Sequence, residues 1–250
     1  MRTDAHAFIG GVPYRDVPHP EPQILARVLA REGVDAAWVA DLPSAFGDAH
    51  ARNDALLDGL APHAAVLRAV ITVDPAREDW EEALARGAGR GAVAVRTYAG
   101  SAALEAVAAR CAARGLPLVL AAHLEPAAAA LVRSADAADV AAAARAGARV
   151  VVTGGDRAFV ERALAALDAL AVREARDGAA RERVWFDIAR IAGPSADDLA
   201  ALLRAAGPAR FVYGSGWPLR LTQVPKANLE LLPAELAGAR LADVSEIVAR

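Results

Sequence analysis

The feature that most constrains this 250-residue chain is a unit that recurs along its whole length: a short β-branched apolar run, a turn, then an Ala/Leu-rich segment of helical period ending near a glycine. The apolar runs are "DAHAFIG" from Asp4, "VDAAWVADLP" from Val34, "VLRAVITVDP" from Val66, "AVAVRTYAG" from Ala92, "LPLVLAAHLEP" from Leu116, "ARVVVTGGD" from Ala148, "RVWFDIARIAG" from Arg183 and "ARFVYGSGWP" from Ala209. Several are apolar almost throughout, as parallel strands covered on both faces are. The segments between them carry helix punctuation. "PEPQILARVLAREG" opens on prolines and stops at Gly33, "DPAREDWEEALARG" crowds acids into its first turns and stops at Gly87, and "SAALEAVAARCAARG" runs from Ser101 to Gly115. Ser134 and Ser195 are the expected N-caps of two further helices. Eight such units predict a single-domain (β/α)8 TIM barrel over residues 1–250. The alternative, an open doubly wound sheet, would need an edge strand that cannot be picked out. The tail from Leu221 should supply the closing helix, but Pro225 and Pro233 interrupt it.

Composition narrows the classes of function. With 55% apolar residues the chain can bury a large core. A net charge of −3 and a pI near 6.0 provide no electrostatic footprint for nucleic acid. No apolar run approaches the roughly 20 residues of a membrane span, and no secretory signal pattern opens the chain, so no membrane partner and a cytoplasmic location are expected. The single cysteine, Cys111, falls among alanines on a helix and is expected to be a buried, inert thiol. If the interrupted tail leaves the barrel imperfectly closed, a second copy could complete it, so a homo-oligomer is the macromolecular assembly this reading admits.

Chemistry in such a barrel belongs at the C-terminal ends of the strands. The candidates there are His6 and Phe8, Asp41, Asp74, Arg96 and Tyr98, His123 and Glu125, Thr153 and Asp156, Asp187 and Arg190, and Ser215 with Trp217 and Arg220. Asp187, inside "VWFDIA", needs a partner, because an unpaired buried carboxylate costs several kcal/mol; Arg190 and Arg96 are the expected suppliers. Arg96 could also clamp a substrate carboxylate in bidentate fashion. Trp217 is expected to roof the pocket, and "TGGD" offers backbone N–H groups to an anion. Asp74 is expected to cap the helix that follows it. His19, His50 and His63 are read as solvated surface groups.

Four stretches in order, "DAHAFIG", "ARNDALLDGLAPHAAVLRAVITVDP", "RVWFDIARIAG" and "ARFVYGSGWPLR", resemble the amidohydrolase-related family of metal-dependent TIM-barrel hydrolases and decarboxylases. The resemblance runs from residue 4 to about residue 232. It implies a first strand bearing His-x-His, histidines on the fifth and sixth strands, and a Gly-Ser-Asp-x-Pro ending to the eighth. Here the first strand has His6 and then Phe8, the fifth offers His123, the sixth reads "VVVTGGD", and the eighth ends "GSGWP" with Gly216 in the aspartate's place. A catalytic zinc needs about three protein ligands. Only His6 stands in its expected slot, so a family-type centre is disfavoured and no cofactor is expected, with a divalent metal such as Zn on His6 as the alternative.

The resulting expectation is an amidohydrolase-like hydrolase of C–N or C–O bonds, or a decarboxylase, acting on a small acidic molecule with a degenerate metal site. His6 and Asp187 are its catalytic residues, with Asp187 or Asp4 orienting His6. Arg96, Tyr98, His123, Arg190, Ser215 and Trp217 are its substrate-binding residues. The alternative is a catalytically inactive barrel kept as a binding or assembly subunit.

Overall fold

The computed structural model describes residues 2–14, 16–18, 21–98, 101–124, 126–129, 131–174, 180–191 and 196–249. Parallel strands β1 (Thr3–Ile9), β2 (Ala36–Asp41), β3 (Leu67–Thr72), β4 (Ala94–Thr97), β5 (Leu118–Ala121), β6 (Val150–Thr153), β7 (Val184–Asp187) and β8 (Phe211–Val212) form one 8-stranded sheet in sequence order. The segment after β8 returns to β1 and closes the sheet. Ala5 N–H donates to the Tyr213 carbonyl at 2.8 Å, Gly216 N–H to that of His6 at 2.7 Å, and Phe8 N–H to that of Trp217 at 2.7 Å. The predicted barrel is therefore the observed one, and the open sheet is not.

Helices α1 (Pro22–Glu32), α2 (Ala49–Leu60), α3 (Trp80–Gly89), α4 (Ser101–Ala113), α5 (Pro126–Ala129), α6 (Ala137–Arg145), α7 (Arg157–Glu174), α8 (Asp197–Ala206), α9 (Gln223–Glu230) and α10 (Val244–Ala249) follow the strands. Alternation along the strands divides the core in two. Ala37, Val39, Leu118, Leu120, Val150 and Val152 pack outward with the helices, whereas Ala5, Trp38, Ala94, Val119, Val151 and Trp185 belong to a separate inner cluster. Two buried tryptophans, Trp38 and Trp185, share that inner cluster with small residues such as Ala5 and Ala94, and together they fill the barrel as side-chain layers do. Cys111 is fully buried, and burial pushes its thiol up to about 12, as an inert core thiol requires.

Helix ends differ from the sequence reading in three places. Helix α3 starts at Trp80 and runs through Gly87, where it was expected to stop. A Cβ on Gly87 would lie 2.4 Å from Cδ1 of Ile71, so this glycine serves close approach of helix to sheet rather than termination. Helix α6 is capped by Asp136, not Ser134: its carboxylate accepts from Asp139 N–H while the Asp139 side chain accepts from Asp136 N–H. Asp74 caps a turn, accepting from Ala76 N–H at 3.0 Å, rather than α3. The expected cap Ser195 lies outside the described residues, as do His19 and Glu125.

His50 is not at the surface. It is 2% exposed, its Nε2 accepts from Asp74 N–H at 3.0 Å, and its Nδ1 faces Asp79 at 3.0 Å. It thus ties α2 to the loop after β3, a structural duty. Asn53 on α2 does similar work, donating to the Thr72 carbonyl and accepting from Thr72 N–H, each at 2.8 Å.

The tail closes the barrel from within the chain. Pro225 falls in the first turn of α9, where its missing N–H has no intrahelical acceptor to serve. Beyond it, Ala242 N–H donates to the Phe211 carbonyl at 2.8 Å, and Arg149, just before β6, donates to the Ile247 carbonyl. Val244 and Ile247 of α10 join the inner cluster, so this helix is the floor under the N-terminal ends of the strands. No helix among the described residues is long and apolar enough to cross a membrane. Ile247→Ala should cost about 2–5 kcal/mol by urea denaturation, the usual penalty for truncating a buried isoleucine. Val172→Ala, at a position 83% exposed, should leave the midpoint unchanged.

Candidate active site

Strand β1 carries the first functional group through an irregularity. Its pairing with β2 slips between Asp4 and Ala7, a β-bulge that adds a residue to β1. Ala5 belongs to the inner cluster and Ala7 to the outer one, and between them His6 looks into the barrel mouth together with Phe8. The two rings meet edge to face, centroids 5.0 Å apart. The bulge also removes Asp4 from the face expected for it. Its carboxylate accepts from His6 N–H at 2.9 Å, Ser215 N–H at 3.0 Å and the Ser215 hydroxyl at 2.5 Å, and does not touch the His6 ring.

The ring's partner is Asp187, at the end of β7. His6 Nδ1 lies 2.5 Å from Asp187 Oδ2, and Asp187 Oδ1 accepts from Gly154 N–H at 2.9 Å. Asp187 is fully buried, and neither Arg96 nor Arg190, its expected partners, pairs with it among the described residues. The "TGGD" turn does meet an anion through its backbone, and that anion is the protein's own carboxylate. Gly214 makes the pair sterically possible: a Cβ there would stand 2.7 Å from Cβ and 2.8 Å from Oδ2 of Asp187.

His6 opens into a cavity of about 140 Å³ at the C-terminal rim. That is close to the ~150 Å³ of a protein cavity that takes up benzene. Phe8, Tyr14, Phe46 and Tyr98 provide aromatic walls, Tyr14 and Phe46 meeting edge to face at 5.7 Å. Arg96, Arg190 and Arg220 provide cationic ones. Arg96 is 3% exposed, while Arg190 and Tyr98 are half-buried and His123 stands exposed at the rim. Among the described residues no carboxylate pairs with Arg96 or Arg190.

Five expected site residues, His6, Arg96, Tyr98, His123 and Arg190, therefore line one cavity, with Asp187 directly behind His6. Ser215 and Trp217 do not line it. Ser215 is fully buried, its hydroxyl held by Asp4 and accepting from Trp217 N–H at 3.1 Å. Trp217 is 8% exposed and packs in the outer core while its backbone seals the barrel, so it is a seam residue and not a roof. Asp41 is ion-paired with Arg52, Oδ1 to Nη2 at 3.0 Å, and Asp156 accepts from Phe159 N–H at 2.8 Å as a helix cap. Tyr14 and Phe46 were not anticipated. Their positions in the loops after β1 and β2 were the only signal, and aromatic loop residues are too common to decide a site.

A (β/α)8 barrel with titratable and cationic groups gathered at the C-terminal rim has the layout of barrel enzymes. No protein-family model matches the sequence, and no curated protein matches it either. Among solved structures the chain is similar to a probable 2-pyrone-4,6-dicarboxylic acid hydrolase from Acinetobacter baumannii with citric acid bound (13% identity, TM-score 0.68, covering 100% of this chain and 99% of that one). It is also similar to a 2,6-dihydroxybenzoate decarboxylase from Rhizobium (12%, 0.70, 99% and 98%). A third is an amidohydrolase from Burkholderia multivorans with bound zinc (17%, 0.67, 100% and 99%). The chain thus shares the barrel fold of these proteins, which is the fold that the resemblance of its motifs implied.

Among the described residues the donors present do not fit a divalent ion. No group of three or more His, Cys, Asp or Glu side chains placed to hold one occurs among the described residues. His6 keeps Nε2 available beside its Nδ1 contact with Asp187, but one imidazole does not make a site, and the ends of β1, β6 and β8 where the resemblance calls for further ligands carry Phe8, Thr153 and Gly216.

Asp4 yields a pH prediction. Burial raises its carboxyl to about 6, against the opposing pull of its hydrogen bonds with Ser215 and His6 and of the His6 charge. The folded chain then holds a proton that the unfolded chain releases near pH 4, so stability is full below that point and is lost as pH rises through about 6. A displacement of this size corresponds to about 3 kcal/mol. Urea unfolding at pH 4.5 and 7.5, an interval that spans part of this loss, should show the wild type losing about 2 kcal/mol more than Asp4→Asn.

Proposed function

We propose that this protein is a small-molecule hydrolase of C–N or C–O bonds, or a decarboxylase, that works by acid–base chemistry on a compact carboxylate-bearing substrate, its metal site being degenerate. The observation that carries this reading is that the His6–Asp187 pair opens into the same small cavity as two guanidiniums, Arg96 and Arg190, that have no carboxylate partner among the described residues. A cavity of this volume with aromatic walls suits an acidic ring. The similar structures described as a 2-pyrone-4,6-dicarboxylic acid hydrolase and a 2,6-dihydroxybenzoate decarboxylase support that chemical class.

In this reading Nδ1–H of His6 donates to Asp187, which fixes the tautomer and leaves the Nε2 lone pair for the proton transfer. For hydrolysis, Nε2 takes a proton from water as the water oxygen attacks the substrate carbonyl, and the imidazolium returns that proton to the leaving group. For decarboxylation, the imidazolium donates a proton to the carbon that loses CO2. Asp187 stabilises the imidazolium in both cases, while Arg190 holds a substrate carboxylate at the wall.

A second reading, a binding subunit without turnover, draws on the unligating residues at the strand ends. The two separate in an assay of purified protein with 2,6-dihydroxybenzoate and 2-pyrone-4,6-dicarboxylate. Turnover that persists in chelator, drops about 10²–10⁴-fold in His6→Ala, and shows a raised KM with a smaller change in kcat in Arg190→Met is the expected result. Binding with no turnover would establish the second reading, and loss of turnover in chelator would overturn the metal-free mechanism.

A further inference from the structure

Arg96 reaches across the barrel mouth. It stands on β4, yet its Cζ lies 4.8 Å from the centre of the Phe8 ring on β1, and Nη2 is 3.4 Å from the Thr153 hydroxyl at the end of β6. Phe8 and Thr153 are the inward residues at two strand ends where the family resemblance calls for metal-binding histidines. The guanidinium therefore rests on the very side chains that stand in place of ligands. Phe8 offers it the negative face of an aromatic ring, and Thr153 offers a hydroxyl that in turn donates toward the Leu120 carbonyl at 3.4 Å. The resemblance would put a histidine pair and its dication where this pair holds a guanidinium.

The charge is also unspent. Arg96 is 3% exposed, no described carboxylate pairs with it, and its Nε is buried without a hydrogen-bond partner. A buried cation with an idle donor carries a desolvation cost that an arriving anion relieves. We propose that the Arg96 guanidinium is the resident cation of this site: it occupies the place of the divalent ion, keeps such an ion out by like charge, and binds the anionic oxygens of the ligand. The ligand half of this inference rests on the acidic-substrate reading above. The metal-exclusion half stands without it.

Two calorimetric titrations of the full chain test it, and neither involves turnover, so the enzymatic reading can fail while this one holds. With benzoate as the probe, Kd should rise about 10-fold or more in Arg96→Met and less in Arg96→Lys, which keeps the charge without the fork. Equal affinity of Arg96→Met and wild type, or a wild-type Kd beyond about 10 mM, would overturn anion binding by this residue. With Zn as the probe, Phe8→His/Thr153→His/Arg96→Met should bind about 100-fold more tightly than Phe8→His/Thr153→His, because removing the guanidinium removes repulsion at the same point. Equal Zn affinities would overturn the exclusion. Circular dichroism checks folding, and if the double background does not fold, Phe8→His with and without Arg96→Met makes the same comparison.

Discussion

The buried carboxylate of Asp4 holds the seam on which the rest of this structure depends. A parallel barrel must join its last strand to its first, and β8 is only two residues long. The joint is made instead by the segment from Tyr213 to Trp217, whose backbone pairs with Ala5, His6 and Phe8. Asp4 accepts from the backbone of His6 on one side and from the backbone and hydroxyl of Ser215 on the other, so one side chain stitches the two edges. The bulge beside it lets Asp4 face the seam while His6 faces the mouth. Closure and presentation of the His6 imidazole to the mouth are thus consequences of one local irregularity.

From that seam the site follows by short steps. His6 reaches Asp187 only because Gly214, within the same segment, has no Cβ to collide with the carboxylate. Asp187 in turn draws the Gly154 amide of the turn after β6. The imidazole is therefore fixed by groups from the ends of β6, β7 and β8, and the proposed acid–base role relies on that preorganisation. Opposite it, Arg96 spans from β4 to β1 and β6, so the mouth is cross-braced by one polar pair and one cation resting on an aromatic ring.

Donor chemistry sets the described site apart from the ligand set that the family resemblance implies. Where the resemblance asks for imidazole or carboxylate, the chain supplies a phenyl ring, a hydroxyl and a glycine, none suited to a divalent ion. The same substitutions make room for a guanidinium, which needs no first shell of lone pairs and stays charged at any physiological pH. In the proposal made above, positive charge at the centre of the mouth takes a form that would meet anionic oxygens through directed N–H groups.

Much of this was legible in the sequence. Eight alternating apolar runs and punctuated helices were enough for the barrel, because burial on both strand faces and helix capping are local patterns. The family resemblance implied which ligand positions lack a ligating residue, and the strand ends put Arg96, Tyr98, His123 and Arg190 at one rim. Tertiary structure alone decided the partners. A register slip in β1 reassigned Asp4 from the imidazole to the seam, and Trp217 and Ser215 went to closure instead of the pocket. Likewise, His50 became a buried tie between α2 and the β3 loop. Arg96 found its contacts on strands it does not adjoin in sequence. Such pairings depend on distances across the barrel of a few ångströms, and periodicity along the chain carries no information about those.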